Sequence, residues 1–172
     1  DYSTVDDTKL FDATTLTLGG GTIELSGGSH VEVVANTVLV AGTLSTITRT
    51  SGPSILQLNT ITPGVGAVVN FLGSGIATTD NNGVATFSTD SLNNASGILG
   101  GWATITIGGV TDWAVNSTNS ADGLITAFTG YTDITRLGPS VIPNTASANI
   151  RIVNGGTSGN ITMAATTVTI NS

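Results

Sequence analysis

The segment LTLGGGTIEL, Leu16 to Leu25, narrows the folds open to this chain more than any other, because its alternation around three glycines returns in altered form along most of the sequence. Leu16, Leu18, Ile23 and Leu25 fall on one face of pleated strands, and Thr17, Glu24 and Ser26 on the other. Between the two short strands, Gly19 to Gly21 supply a bend that residues with a Cβ make only at steric cost. Such a unit has the pattern of one rung of a β-solenoid.

Strand signals follow in quick succession from Thr14 to Leu72: TTLTL, GTIEL, HVEVV, TVLVAG, LSTITRT, SILQLNTI and AVVNFL. Thr and β-branched residues dominate them and favour a half-buried pleated surface. Equivalent runs begin near Thr14, Thr37 and Ser54, so the steps between them are 37 − 14 = 23 and 54 − 37 = 17. A solenoid coil of roughly 20 residues fits that spacing, with Leu16, Val38 and Leu56 as neighbours in successive layers. A β-sandwich, with strands at roughly 8–12-residue spacing, fits the same runs and stands as the alternative.

The pattern changes after Gly73. TTDNNGVATF places Asp80, Asn81, Asn82 and Gly83 between two alternating runs, a tight-turn signal for a hairpin. Trp102 and Trp113 lie in the same stretch with Phe87, Phe128 and Tyr131, which predicts a small aromatic core set against or capping the coil. Alternation resumes at ANIRIVNGG and NITMAATTVTINS. The predicted organisation is therefore residues 1–13 as a linker or edge rung, 14–73 as solenoid coils, 74–147 as a β-rich insert and 148–172 as resumed coils. Helix signals are nearly missing, and 23 glycines argue against long helices. The strand pattern running to Ser172 suggests further rungs or another subunit beyond it.

Composition limits the partners. Only 9% of the 172 residues are charged, against about 25% in an ordinary domain, so Thr, Ser and Asn supply the polar surface. The net charge is −7, with Lys9, Arg49, Arg136 and Arg151 as the only bases. A nucleic-acid partner needs clustered cations, and none cluster here. Cysteine is absent, which removes disulfides and thiolate metal sites. No apolar run is long enough for a membrane helix, and no basic and apolar leader opens the chain at Asp1.

Candidate chemistry is thin. His30 and Glu32 share a strand face, but two ligands do not make a zinc site and a solvent-facing pair is expected. Glu24 and Glu32 are the pair that could stack on adjacent strands for polysaccharide hydrolysis or lysis; Asp80, Asp90, Asp112, Asp122 and Asp133 are the other acids beyond the N-terminus. Asp80 to Gly83 also matches the start of a calcium loop, although Ser91 stands where an EF-hand needs Glu. No GxSxG motif occurs, and the glycine pairs Gly64/Gly66 and Gly73/Gly75 precede no helix that would cradle phosphate. Glycosylation sequons stand at Asn94, Asn116 and Asn160. Trp102, Trp113 and Tyr131 are the candidate sugar-stacking residues, with burial as the competing role.

TLTLGGGTIELSG at 15–27, GILGGWATITIGGVTDWAV at 97–115, and ITAFTGYTDITRLG at 125–138 with the later NIRIVNGGTSGNITMAATTVTINS carry a resemblance to bacterial proteins with autotransporter-associated β-strand repeats. The pair GILGGWAT and TDWAV followed by AFTGYTD is its most distinctive part. The resemblance implies a section of a long secreted or surface-displayed parallel β-helix, extracellular and non-enzymatic, serving as a stalk or adhesive surface. It brings no catalytic residues with it.

The expectations are thus an all-β chain, a right-handed parallel β-helix with a β-rich insertion, and a structural stalk, adhesin or filament component. No catalytic, cofactor or metal residue is assigned. A homo-oligomer or head-to-tail fibre and a polysaccharide are the expected partners, without nucleic acid or a membrane span. A carbohydrate-binding module is the first alternative, and a polysaccharide lyase or hydrolase the second.

Overall fold

The computed structural model describes residues 10–29, 31–73, 87–89, 91–119, 123–135, 140–142, 149–153 and 161–163. Among them it places sixteen strands and no helix. The chain divides into two compact units, Asp1–Phe128 and Thr129–Ser172.

The first nine strands come in triplets. β1 (Thr15–Leu18), β2 (Gly21–Leu25) and β3 (Val31–Val33) are followed by β4 (Asn36–Leu39), β5 (Leu44–Arg49) and β6 (Ile55–Gln57), then by β7 (Ile61–Pro63), β8 (Val68–Gly73) and β9 (Phe87–Thr89). Corresponding strands pair in parallel: β1 with β4 and β4 with β7, β2 with β5 and β5 with β8, β3 with β6 and β6 with β9. Six of the seven expected runs supply one strand each. The seventh, SILQLNTI, supplies both β6 and β7, because Asn59 between them takes φ 53°. That conformation is tolerated by Asn better than by most residues, and the Asn59 amide holds the corner by donating to Val34 O at 2.6 Å.

A triplet is longer than the sequence steps suggested. Gly21 lies opposite Ser45, Leu44 opposite Val68 and Val31 opposite Ile55, all at one offset (45 − 21 = 68 − 44 = 55 − 31 = 24). The predicted layer of Leu16, Val38 and Leu56 does not form. Leu16 faces Thr37, Val38 faces Thr17, and Leu56 lies on a different ladder opposite Glu32. In β4 the buried residues are Thr37 and Leu39. The Thr37 hydroxyl can turn inward because it donates to Leu58 O at 2.9 Å, which removes the penalty for burying it.

The interior holds a column of apolar side chains. Ile23, Ile47, Phe71 and Ile105 are successive register partners, and the last three are completely buried. Tight corners hold the triplets together. Gly27 N donates to Ser51 Oγ at 2.9 Å, and Ser54 Oγ donates to Gly27 O at 2.9 Å. At Gly52, φ is +71° and a Cβ would stand 2.5 Å from Gly27 O, so only glycine lets the two corners approach.

An antiparallel meander closes two of these three ladders at one end. β10 (Ala103–Ile107) lies parallel on β8, β11 (Val110–Asn116) runs back along β10, and β12 (Gly123–Ala127) pairs antiparallel with both β11 and β9. The edges of β8 and β9 are therefore occupied, and one nine-stranded sheet runs β2-β5-β8-β10-β11-β12-β9-β6-β3. Asn93 imitates a strand at the join: its Nδ2 donates to Asn116 O and its Oδ1 accepts from Asn116 N, both at 2.8 Å. Asn116 Nδ2 donates in turn to Ser91 O, and Ser91 Oγ accepts from Ile61 N on β7, again at 2.8 Å. Gly123 is pressed against this network, since a Cβ there would overlap Asn116 Oδ1.

The separate aromatic core expected here is not what the meander builds. Leu99, Ala103, Ile105, Ala114 and Ile125 join one buried cluster with Leu18, Leu25, Leu39, Ile47 and Leu56. Ala103 is the register partner of Val69 and Ile105 of Phe71, so the apolar face of β10 extends the existing core.

In the second unit β13 (Tyr131–Thr135) pairs in parallel with β15 (Asn149–Val153), and β14 (Ser140–Ile142) with β16 (Ile161–Met163). The order repeats as in the first unit, with two strands in place of three. The terminal run TTVTINS and the turn at Asp80 to Gly83 lie outside the described residues.

The alternation along β5 gives a direct test. Ile47→Ala should cost about 2–5 kcal/mol in urea unfolding, whereas Thr46→Ala, one residue away on the outer face, should stay within about 0.5 kcal/mol. Similar losses at the two positions would contradict the assigned facing.

Candidate functional site

The outer face of the nine-stranded sheet is formed by the residues between those that fill the core. Thr22, Thr46, Asn70, Thr104 and Trp113 are consecutive register partners on β2, β5, β8, β10 and β11. Beside them run Glu24, Thr48, Leu72, Thr106 and Thr111. Neighbouring strands lie about 4.7–4.9 Å apart, so each row is a single file of side chains at that interval. The pleat holds both rows outward because Ile47, Phe71 and Ile105 are locked inside.

Hydrogen bonds set the chemistry of these rows. Asn70 Oδ1 accepts from Thr104 Oγ1 at 3.1 Å and from Thr106 Oγ1 at 3.2 Å, and the Thr106 and Thr111 hydroxyls are 2.8 Å apart. With its oxygen engaged, Asn70 presents its Nδ2 as a donor. Trp113 is 40% exposed. Its strand is fixed on the far side by Phe128 N donating to Trp113 O at 2.9 Å.

Of the three candidate sugar-stacking residues, Trp102 and Trp113 lie in the first unit and Tyr131 in the second. Trp102, just before β10, is half-buried against the core; its indole covers Gly100, where a Cβ would overlap Nε1. Trp113 is on the surface. Tyr131 belongs to the second unit, where the Arg151 guanidinium lies 4.6 Å from its ring centroid. Thr46, Asn70 and Thr104 were not singled out from the sequence. Their signal is the even spacing of Thr22, Thr46 and Asn70, one triplet apart each time, which becomes visible only once the period is known.

The two candidate acids, Glu24 and Glu32, lie on different ladders. Glu24 is exposed on β2 and accepts from Thr50 Oγ1 at 2.8 Å. Glu32, expected to face solvent, is completely buried on β3 and accepts from Leu10 N. The alternation that buries Val34 carries Glu32 inward as well. His30, Asp80, Asp90 and Asp122 lie outside the described residues. Asp112 Oδ1 accepts from Trp113 N at 2.8 Å. Among the described residues no three His, Cys, Asp or Glu side chains gather as a metal site would need. No helix there is long and apolar enough to cross a membrane.

Two of the sequons are described. Asn94 is exposed, with its Oδ1 accepting from Ser96 N at 2.9 Å, whereas Asn116 is 1% exposed and belongs to the network that closes the sheet. Arg49 is the other charged side chain drawn inward. It lies between Leu25 and Gly73 in register, its Nη1 is buried without a hydrogen bond among the described residues, and desolvation lowers its pKa.

Asp133 and Arg151 face each other directly across β13 and β15. Nε to Oδ1 is 2.8 Å and Nη2 to Oδ2 is 3.0 Å, a two-pronged pair on the surface. The hydrogen bond from Arg151 is the main cause that holds the Asp133 carboxyl below its ordinary pKa. A lowered folded-state pKa means that the pair contributes stability above the ordinary aspartate range and loses it as pH falls through the lowered value. Thermal melts of the wild type and Asp133→Asn should differ slightly at neutral pH, converge in strong acid, and converge also at high salt because the pair is exposed. A difference independent of pH would contradict this assignment.

No family model, no curated protein and no solved structure matches the chain.

Proposed function

We propose that the chain is a non-enzymatic structural section of a secreted or surface-displayed β-solenoid, in which β1 to β9 make three coils of a right-handed parallel β-helix. The observation that carries this is the triplet order, repeated three times with every strand parallel to its counterpart in the next triplet. A β-sandwich is built from antiparallel hairpins, and a parallel crossover in one sheet is almost always right-handed. The sequence likeness at 15–27 and 97–115 to autotransporter-associated repeats agrees with this assignment.

A structural role suits the chemistry. The core cluster is apolar, the outer rows are uncharged apart from Glu24, and the two candidate catalytic acids sit on different ladders with one of them buried. A surface poor in Lys and Arg, with no cysteine to oxidise, is in keeping with an extracellular position. Fibre growth from the first unit by head-to-tail stacking is disfavoured, because β10 and β12 occupy the edges of β8 and β9 on which a second copy would add. The edges of β1, β2 and β3 carry no strand partner among the described residues, and these suit a single end-on contact with another β-sheet edge.

A spacer of stacked coils should bear load. Pulling the first unit from its ends in a single-molecule instrument should give a stiff response broken by steps of about 80 Å, the extended contour of one coil. Continuous lengthening from the lowest forces would exclude a load-bearing role.

A further inference from the structure

Beyond a mechanical role, we infer that the row Thr22, Thr46, Asn70, Thr104 and Trp113 on the outer face is a docking track for an uncharged polysaccharide chain. The five residues are consecutive register partners. They form a straight file of hydrogen-bonding groups at the strand interval, ending at an exposed indole.

Three properties of the file select this ligand. First, its polar groups are left open. The Thr22 and Thr46 hydroxyls have no hydrogen-bond partner among the described residues, and Asn70 spends its oxygen on Thr104 and Thr106 while its Nδ2 remains available. Second, the file itself carries no formal charge; Glu24 stands beside Thr22 at one end, and at the other the Asp112 carboxylate accepts from Trp113 N. An uncharged partner therefore loses no ionic hydration on docking, whereas an acidic polymer would meet no cation. Third, Trp113 offers an aromatic face, and its Nε1 has no partner among the described residues, so it can receive the C–H face of a pyranose ring and donate to a sugar hydroxyl. A ligand with hydroxyls along its edge and an apolar ring face matches both halves of the file. A peptide would gain more from the open backbone edges of β1 to β3 than from a flat sheet face.

The track differs from the trio expected from sequence. It uses Trp113 alone of the three, and it recruits Thr46, Asn70 and Thr104, which periodicity places beside it.

Affinity electrophoresis of the full chain through gels containing soluble β-glucan, xylan or dextran tests it, with polygalacturonate as the acidic control. At least one neutral polymer should retard the protein while polygalacturonate does not. Trp113→Ala should weaken retardation by about tenfold or more and Asn70→Ala by several-fold. Trp102→Phe should keep it, which separates stacking at Trp113 from a general loss of aromatic content. Far-UV circular dichroism and melting curves should show that Trp113→Ala and Asn70→Ala remain folded. A Trp113→Ala protein that fails this check is replaced by Trp113→Gln, which keeps a long side chain but removes the ring. Absence of retardation by every neutral polymer, or retention of it in folded Trp113 variants, would overturn the assignment. Neither result would affect the proposed spacer role, which the pulling experiment addresses independently.

Discussion

The structure depends on parallel backbone pairing between equivalent segments of successive triplets, maintained in step on separate ladders. Each strand of a triplet is only three to six residues long, too short to persist alone. Stacking solves this, because one triplet supplies the hydrogen-bonding partners and the apolar floor for the next. Burial then follows as a consequence of register. Where Ile23, Ile47, Phe71 and Ile105 stand in line, the residues on either side of them must face outward, and the same alternation carries Glu32 and Arg49 into the interior.

A stacked array of this kind has exposed edges, and the first unit deals with one set of them explicitly. β10 continues the parallel ladder by one strand, after which the chain reverses through β11 and β12 and returns to the edge of β9. That reversal converts two open edges into one continuous sheet. The polar residues at the join are there for a reason that hydrophobicity does not disclose. Asn93 and Asn116 provide strand-like pairing where no strand fits, and Gly123 leaves room for the Asn116 amide. The same device makes Asn116 a poor glycosylation site despite its sequon, since its side chain is committed and buried.

Much of the strand content was legible from alternation and β-branched composition, and the reason is visible in β2, where Thr22, Ile23, Glu24 and Leu25 alternate polar with apolar, and in β5, where Ile47 stands between Thr46 and Thr48. Register was less legible. A Thr on the inner face, such as Thr37, cannot be told from an outward Thr until its acceptor, Leu58 O, is known. Asn59 split one apparent run into two strands through a backbone conformation that few sequence signals announce. The outer file suffered the same blindness: Thr46 and Asn70 are ordinary strand residues until the strand register places them in one row with Thr104 and Trp113. Conversely, Trp102 and Trp113 look equivalent in sequence, and only the position of the meander buries one partly and exposes the other.

The most direct test of in-step stacking measures distance against triplet number. Spin labels at Thr22 and, in turn, at Thr46, Asn70 and Thr104 lie one, two and three strands apart on the same outer row. Electron paramagnetic resonance should report separations that rise by about 5 Å at each step. Separations that fail to increase in that order would show that the three segments do not stack in parallel, and the rest of the account would fall with them.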